Sequence, residues 1–262
     1  GHSYLTNLTF PTRIDVNLSF REIFLRSQAK YKLWVRNQFV VFSPESFVKI
    51  DGRRIASYPM KGTIDASIPN ALEQLMGDRK ELAEHYTIVD LIRNDLGRVA
   101  KDVRVEQFRY VDRIEANGST LLQSSSKIAG TLASDYQQNI GTLLSKLLPA
   151  GSVTGAPKKR TVEMIREAEG YERGYYTGIF GYYQNGQMES AVMIRYIERQ
   201  GDQLFFKSGG GITAQSDPEK EYQELIDKVY LPIREMDYPR TNGNPSHTKL
   251  RHHVSSLRKH QD

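Results

Sequence analysis

Residues 31–58 read YKLWVRNQFVVFSPESFVKIDGRRIASY, and this stretch decides the fold class. Its runs 31–36, 39–43 and 47–50 are short, rich in aromatic and β-branched residues, and separated by turn-forming residues, the pattern of strands. Asp51-Gly52 is a strong two-residue hairpin turn, so 53–58 returns as the next strand. On the N-terminal side, 19–29 reads as a short helix. On the C-terminal side, Pro59 and Gly62 punctuate a loop over 59–70, and the spacing of Leu75, Leu82, Tyr86, Val89 and Ile92 predicts one helix over 72–92. Asn94-Asp95-Leu96-Gly97 stops it. A β segment over 103–122, a helix over 134–147 and a small-residue loop over 149–157 follow. The next helix opens at Pro157. Residues 176–212 read as a three-strand meander with turns at Asn185-Gly186 and Gly201-Asp202. The last helix starts at Asp217-Pro218, an N-cap with proline behind it. Strands and helices come in blocks, not in βαβ alternation, which implies α+β with mainly antiparallel sheets.

The chain has 262 residues, 39% hydrophobic and 26% charged, a composition that excludes wholesale disorder. No run of 18 apolar residues is present, so no membrane partner is expected. With no cysteine, disulfide scaffolds, thiolate metal sites and cysteine nucleophiles are excluded, and a cytoplasmic location is expected. The net charge of +5 is unevenly placed. Residues 234–262 hold six Lys/Arg against three Asp/Glu, leaving +2 for the other 233 residues. Four of the six histidines also lie there. That stretch reads as a basic, flexible tail behind a domain over 1–233, and no nucleic-acid partner is expected.

Several residues could carry chemistry. Glu81 and Glu84 are three apart on one predicted helix, and Glu221 and Glu224 on another. Each pair shares a helix face. An all-oxygen set of this kind suits Mg²⁺, although solvated helix faces look the same in sequence. Lys228, four after Glu224, also fits a simple ion pair. Gly209-Gly210-Gly211 follows an apolar strand and lets backbone amides approach an anion. Thr154-Gly155-Ala156, ahead of a helix N-terminus, is a second anion candidate. Lys61, in the predicted loop, becomes a nucleophile if held as a neutral amine. Glu45, after a strand, becomes a general acid if desolvated.

Taken together these segments resemble the chorismate-utilising enzymes. The matching pieces are Ser43-Pro44-Glu45, Pro59-Met60-Lys61-Gly62-Thr63, Ala83-Glu84-His85, 89–99, Thr154-Gly155-Ala156-Pro157-Lys158, 178–182, Ile194-Arg195, 209–212 and 217–224. They occur in the family's order across residues 1–233. The resemblance implies two antiparallel β-sheets packed orthogonally as a sandwich with helices outside. Lysine at position 61, where anthranilate and isochorismate enzymes resemble Pro-x-Ala-Gly-Thr, is similar to the aminodeoxychorismate synthase component I branch. Leu5 stands where isochorismate and salicylate synthases carry a water-activating lysine, which disfavours water addition.

The resemblance further implies that Mg²⁺ is held by Glu84 and Glu224 with Glu81 and Glu221 in support. It implies that Lys61 attacks chorismate while Glu45 protonates the departing hydroxyl. Tyr176 and Arg195 are implied partners of the enolpyruvyl carboxylate. Thr154, Gly155, Ala156, Gly210, Gly211 and Lys228 complete the substrate site. Ammonia is implied to come from a separate glutamine amidotransferase subunit, since this chain has no cysteine for that chemistry. The implied product is 4-amino-4-deoxychorismate, on the way to para-aminobenzoate and folate. Anthranilate synthase component I is the alternative, with isochorismate synthase and a basic nucleic-acid-binding protein ranked below it. The sequence departs from the family at Gln123, which replaces the second histidine of a Ser-His-x-x-His pattern. That replacement fits a product that is not aromatised.

Overall fold

The structure is a computed structural model that describes residues 3–116, 119–233 and 251–252. The basic tail expected over 234–262 lies outside the described residues apart from 251–252. In chain order the elements are β1 (Leu5–Asp15), α1 (Phe20–Arg26), β2 (Tyr31–Val35), β3 (Phe39–Ser43), β4 (Ser46–Asp51), β5 (Arg54–Ser57), β6 (Met60–Asp65), α2 (Ala71–Gly77), α3 (Arg79–Gly97), β7 (Ala100–Ala116) and β8 (Ser119–Leu132). They continue with α4 (Ile140–Leu147), β9 (Gly155–Ala156), α5 (Lys158–Glu169), β10 (Ile179–Gln184), β11 (Gln187–Val192), β12 (Tyr196–Gln200), β13 (Gln203–Ile212), α6 (Pro218–Asp227) and β14 (Arg251–His252). The fold is α+β with antiparallel sheets, as the blocks of strands and helices led us to expect, and the sheets are two, as the resemblance implied, each of seven strands.

The described residues form two compact units. The first comprises 3–8, 45–116, 119–192 and 211–215. Its sheet runs β10-β11-β4-β5-β8-β6, with β7 also paired to β8. The turn expected at Asp51-Gly52 is one residue later, at Gly52-Arg53, because Asp51 itself pairs with Arg54. The turn at Asn185-Gly186 sits where the sequence placed it, with Gln184 paired to Gln187. Asn185 and Gly186 have φ of 51° and 77°, the left-handed pair that matches strand twist in a two-residue turn. Ala71, Leu75 and Leu122 form one core cluster, which removes apolar area from water at roughly 25 cal/mol per Å².

The second unit comprises 9–44, 193–210, 216–233 and 251–252. Its sheet order is β14-β1-β13-β12-β3-β2, with β9 pairing the start of β1. β3 is buried along its whole length, which explains its unbroken Phe39-Val40-Val41-Phe42 run. Its core holds Ile14, Phe20, Ile23, Val40, Phe42, Ile197 and Phe206, with the Phe42 and Phe206 rings edge to face at 5.9 Å. α1 opens on a capping box in which Ser19 and Glu22 satisfy each other's amides. α6 opens on Asp217, whose carboxylate accepts the Glu219 and Lys220 N–H groups at 3.1 Å.

Four expectations need correction. The loop predicted over 59–70 is largely β6, because 60–65 pairs with β8 and accommodates Gly62 as a bulge between Met60 and Thr63. The single helix predicted over 72–92 is two helices, broken at Asp78, which ends α2 and caps α3 by accepting the Glu81 N–H at 2.9 Å. The predicted apolar stripe also mis-assigns Tyr86, which is 57% exposed and lies 4.8 Å from the Phe108 ring. The buried side of α3 carries Glu84, His85, Ile88, Val89 and Leu96. Finally, the meander over 176–212 has four strands. It divides at residues 193–195, where Arg195 takes φ +53° and the ladder stops, so β10–β11 and β12–β13 join different sheets.

Candidate functional site

Lys61 stands on β6 at the bulge, not in a loop. Its Nζ lies 3.0 Å from Oε2 of Glu84, which is buried on α3. Gly62 has φ +78°, and a Cβ on it would lie 3.0 Å from the Leu75 side chain of α2 and 3.4 Å from Glu81 Oε2 of α3. A Cβ on Gly211 would lie 3.1 Å from the Leu5 side chain, 3.4 Å from Lys61 Nζ and 3.7 Å from Glu84 Oε2. Lys61, Glu81, Glu84, Gly211 and Leu5 therefore converge within the first unit. Leu5 brings only hydrocarbon to this group, so it has no lone pair with which to activate a water.

Glu45 belongs to the same unit, between β3 and β4. The Ser152 hydroxyl donates to its Oε1. Burial pushes the Glu45 carboxyl above the usual carboxylate range, and the Ser152 bond and the Lys61 charge offset this only in part. A carboxyl that keeps its proton to higher pH is suited to donate it. Ser152 had no distinguishing signal in the sequence beyond its place in the small-residue loop.

That loop is built against β1. Thr154 and Ala156 carbonyls accept the Asn7 and Tyr4 N–H groups at 2.7 and 2.9 Å. Gly155 has φ +131°, and a Cβ on it would lie 1.9 Å from the Leu5 carbonyl, so no side chain fits. The Thr154 hydroxyl donates inward to Ala150 O at 2.9 Å. Tyr176 is buried in this unit. The Lys158 ammonium meets Asp95 at 2.6 Å, so two of the quoted motif segments are joined by a largely buried ion pair.

In the second unit, Glu221, Glu224, Gly210, Lys228 and Arg195 come together. Lys228 Nζ lies 2.6 Å from Glu224 Oε1 and donates to the Gly209 carbonyl at 2.9 Å. A Cβ on Gly210 would lie 3.9 Å from Glu221 Oε2, a buried carboxylate. The Arg195 guanidinium donates to the Lys228 carbonyl at 3.1 Å and sits 5.0 Å from the Tyr230 ring centroid. Its Nε is buried without a hydrogen-bond partner. Such an orphaned donor is suited to an incoming carboxylate.

Each unit thus presents a glutamate pair beside one lysine. The donors are all oxygen, which fits a hard divalent cation. Among the described residues no group of three or more His, Cys, Asp or Glu is gathered as a metal site. The sequence reading missed a buried network beside Glu84. His85 Nε2 lies 2.6 Å from Ser126 Oγ, and Ser126 Oγ also accepts the Arg109 N–H at 2.9 Å. The Arg109 guanidinium in turn donates to the Leu75 and Met76 carbonyls at the end of α2. The one available signal was a run of three serines, 124–126, inside β8. An open cleft of about 360 Å³ beside Arg98, Lys101, Asp135 and Lys146 contains none of the predicted residues.

Residues 1–234 match the family model described as chorismate binding enzyme. An uncharacterized PabA-like protein of Haemophilus influenzae is 53% identical over 237 residues, covering 90% of this chain and 72% of that protein. Anthranilate synthase component 1 of Aquifex aeolicus is 39% identical over 195 residues, 71% of this chain and 38% of its own length. Aminodeoxychorismate synthase component 1 of Bacillus subtilis is 34% identical over 208 residues, 76% of this chain and 43% of its own. The crystal structure of anthranilate synthase component I from Streptococcus pneumoniae superposes with a TM-score of 0.74 at 28% identity, covering 87% of this chain and 53% of that one. No helix among the described residues is long and apolar enough to cross a membrane.

Proposed function

We propose, from the premise that this chain belongs to the family of chorismate binding enzymes, that it converts chorismate and ammonia to 4-amino-4-deoxychorismate. The observation that carries the reading is the Lys61 amine, held on the β6 bulge 3.0 Å from Glu84 and within the electrostatic reach of Glu45.

The steps follow from these groups. Glu84 and Glu224, supported by Glu81 and Glu221, would hold Mg²⁺. The bound ion would supply charge neutralisation for the ring carboxylate and polarise the ring toward attack. Lys61 Nζ, once it has given its proton to solvent, offers its lone pair to ring carbon C2. The C2–N bond forms, the ring double bonds shift, and the C4–O bond breaks. Hydroxide leaves poorly, so Glu45 gives it a proton and water departs. Ammonia then attacks C4, the double bonds shift back, and Lys61 leaves with the proton that ammonia loses. The covalent step divides one difficult substitution into two easier ones. Arg195 and Tyr176 take the enolpyruvyl carboxylate, with arginine offering a planar fork. Thr154, Gly155, Ala156, Gly210, Gly211 and Lys228 line the rest of the ligand. Ammonia comes from a glutamine amidotransferase partner, and para-aminobenzoate and folate lie downstream.

The identity to anthranilate synthase component 1 favours a second reading, in which ammonia adds at C2 instead of C4, pyruvate is eliminated and the ring becomes aromatic. One assay separates the two: purified protein with chorismate, Mg²⁺ and ammonium, products resolved by chromatography. The proposal expects aminodeoxychorismate, lost on Lys61→Ala. Anthranilate from the wild-type protein without an added lyase would overturn it.

A further inference from the structure

Ser126 is completely buried on β8, and its bonds take no part in the chemistry proposed above. Its N–H donates to the Pro59 carbonyl at 2.9 Å, directly before β6. Its Oγ lies 2.6 Å from His85 Nε2 and accepts the Arg109 N–H at 2.9 Å. Pro59 is two residues from Lys61, and His85 is the neighbour of Glu84. One side chain and its amide therefore tie down both segments that carry the Lys61–Glu84 pair.

The tie matters because the β6 ladder is interrupted at Lys61 and the buried face of α3 carries polar side chains. The β6–β8 register shifts between Met60 and Thr63, so regular pairing lapses at Lys61. On α3 the His85 ring is fully buried, and Nδ1 has no hydrogen-bond partner, which leaves the Ser126 contact as the ring's polar anchor. The Phe108 ring, edge-on at 5.5 Å, closes the other side. We infer that Ser126 is a positioning residue that sets the separation of the Lys61 amine and the Glu84 carboxylate through the His85 ring and the Pro59 carbonyl. The inference rests on the reading of Lys61 as the nucleophile, but the geometry it specifies can be measured without turnover.

The experiment compares wild type, Ser126→Ala, Ser126→Thr and the core variant Ile55→Val. Lys61 modification by trinitrobenzenesulfonate is followed by peptide mass mapping, and kcat and KM are measured with chorismate and ammonium. Ser126→Ala is expected to speed Lys61 labelling by about fivefold, the scale of one lost hydrogen bond. It should lower kcat by about 10- to 100-fold, the scale of a misplaced reacting group. KM should stay within about twofold, because ground-state binding is untouched. Ser126→Thr keeps the hydroxyl and should restore both readouts. His85→Leu removes the same bond from the other side and should reproduce the labelling change. Wild-type labelling in Ser126→Ala would overturn the inference. So would the same change in Ile55→Val, which would reduce it to general loosening. If wild type forms no aminodeoxychorismate, the function reading fails and the labelling comparison still decides the role of Ser126.

Discussion

At the scale of single residues, Glu45 and His85 are displaced in opposite directions by the same force. Burial disfavours the charged form, so it raises a carboxyl and lowers an imidazole. In the proposed mechanism the protonated form of Glu45 is the active one, so activity should fall as pH rises through its raised value. Glu45→Gln cannot donate the proton and should lower kcat by about 10²- to 10⁴-fold. It should also erase that alkaline limb of the pH–rate profile. A profile unchanged by the substitution would remove Glu45 from the mechanism.

His85 falls from 6.5 to about 4, first through burial, then through the charges of Arg109 and Lys61. Between those values the unfolded chain takes up a proton that the folded one refuses. Stability is therefore lost as pH falls from 6.5 toward 4. The protein should be about 2 kcal/mol less stable at pH 5 than at pH 7 on this count. Urea unfolding at the two pH values checks it, and His85→Leu should flatten the difference. An equally steep loss in His85→Leu would assign the effect to other groups.

At the scale of elements, the site depends on places where regular structure is interrupted. β6 bulges at Lys61-Gly62, α2 and α3 part at Asp78, and Gly155 presses its backbone on β1. Gly155→Ala forces a Cβ into the Leu5 carbonyl and should cost roughly 3 kcal/mol or more. Its melting curve, compared with that of an alanine placed at exposed Gly170, checks this. These interruptions are also where reading from sequence loses its grip. The hairpin at Asn185-Gly186, a turn within one residue of Asp51-Gly52, and the Asp217-Pro218 helix start were legible because a few adjacent residues determine them. β6 was not, since Pro59 and Gly62 are loop-formers locally and only pairing with β8, some 60 residues away, makes a strand of them. The buried face of α3 was misjudged at Tyr86 because that helix buries Glu84 and His85, polar residues that no hydrophobic period reveals.

At the scale of the whole molecule, the α+β class followed from the blocks of strands and helices, and the family from ordered motifs such as Pro59-Met60-Lys61-Gly62-Thr63. Those motifs named Lys61, Glu45 and the four glutamates. They did not reveal Ser152, Ser126 or the Asp95–Lys158 pair, whose importance arises only when distant segments fold together. On the proposed reading, a small difference separates this chemistry from that of its relatives: an amine at residue 61, hydrocarbon at Leu5, an amide at Gln123. The most direct test of that amine withholds ammonia. Wild-type protein is mixed with chorismate and Mg²⁺, quenched rapidly, and examined by intact mass and peptide mapping. A mass gain equal to chorismate less one water, located on Lys61 and absent from Lys61→Ala, is the predicted result. Turnover to aminodeoxychorismate by the Lys61→Ala variant at the wild-type rate, with no adduct on the wild-type lysine, would contradict it.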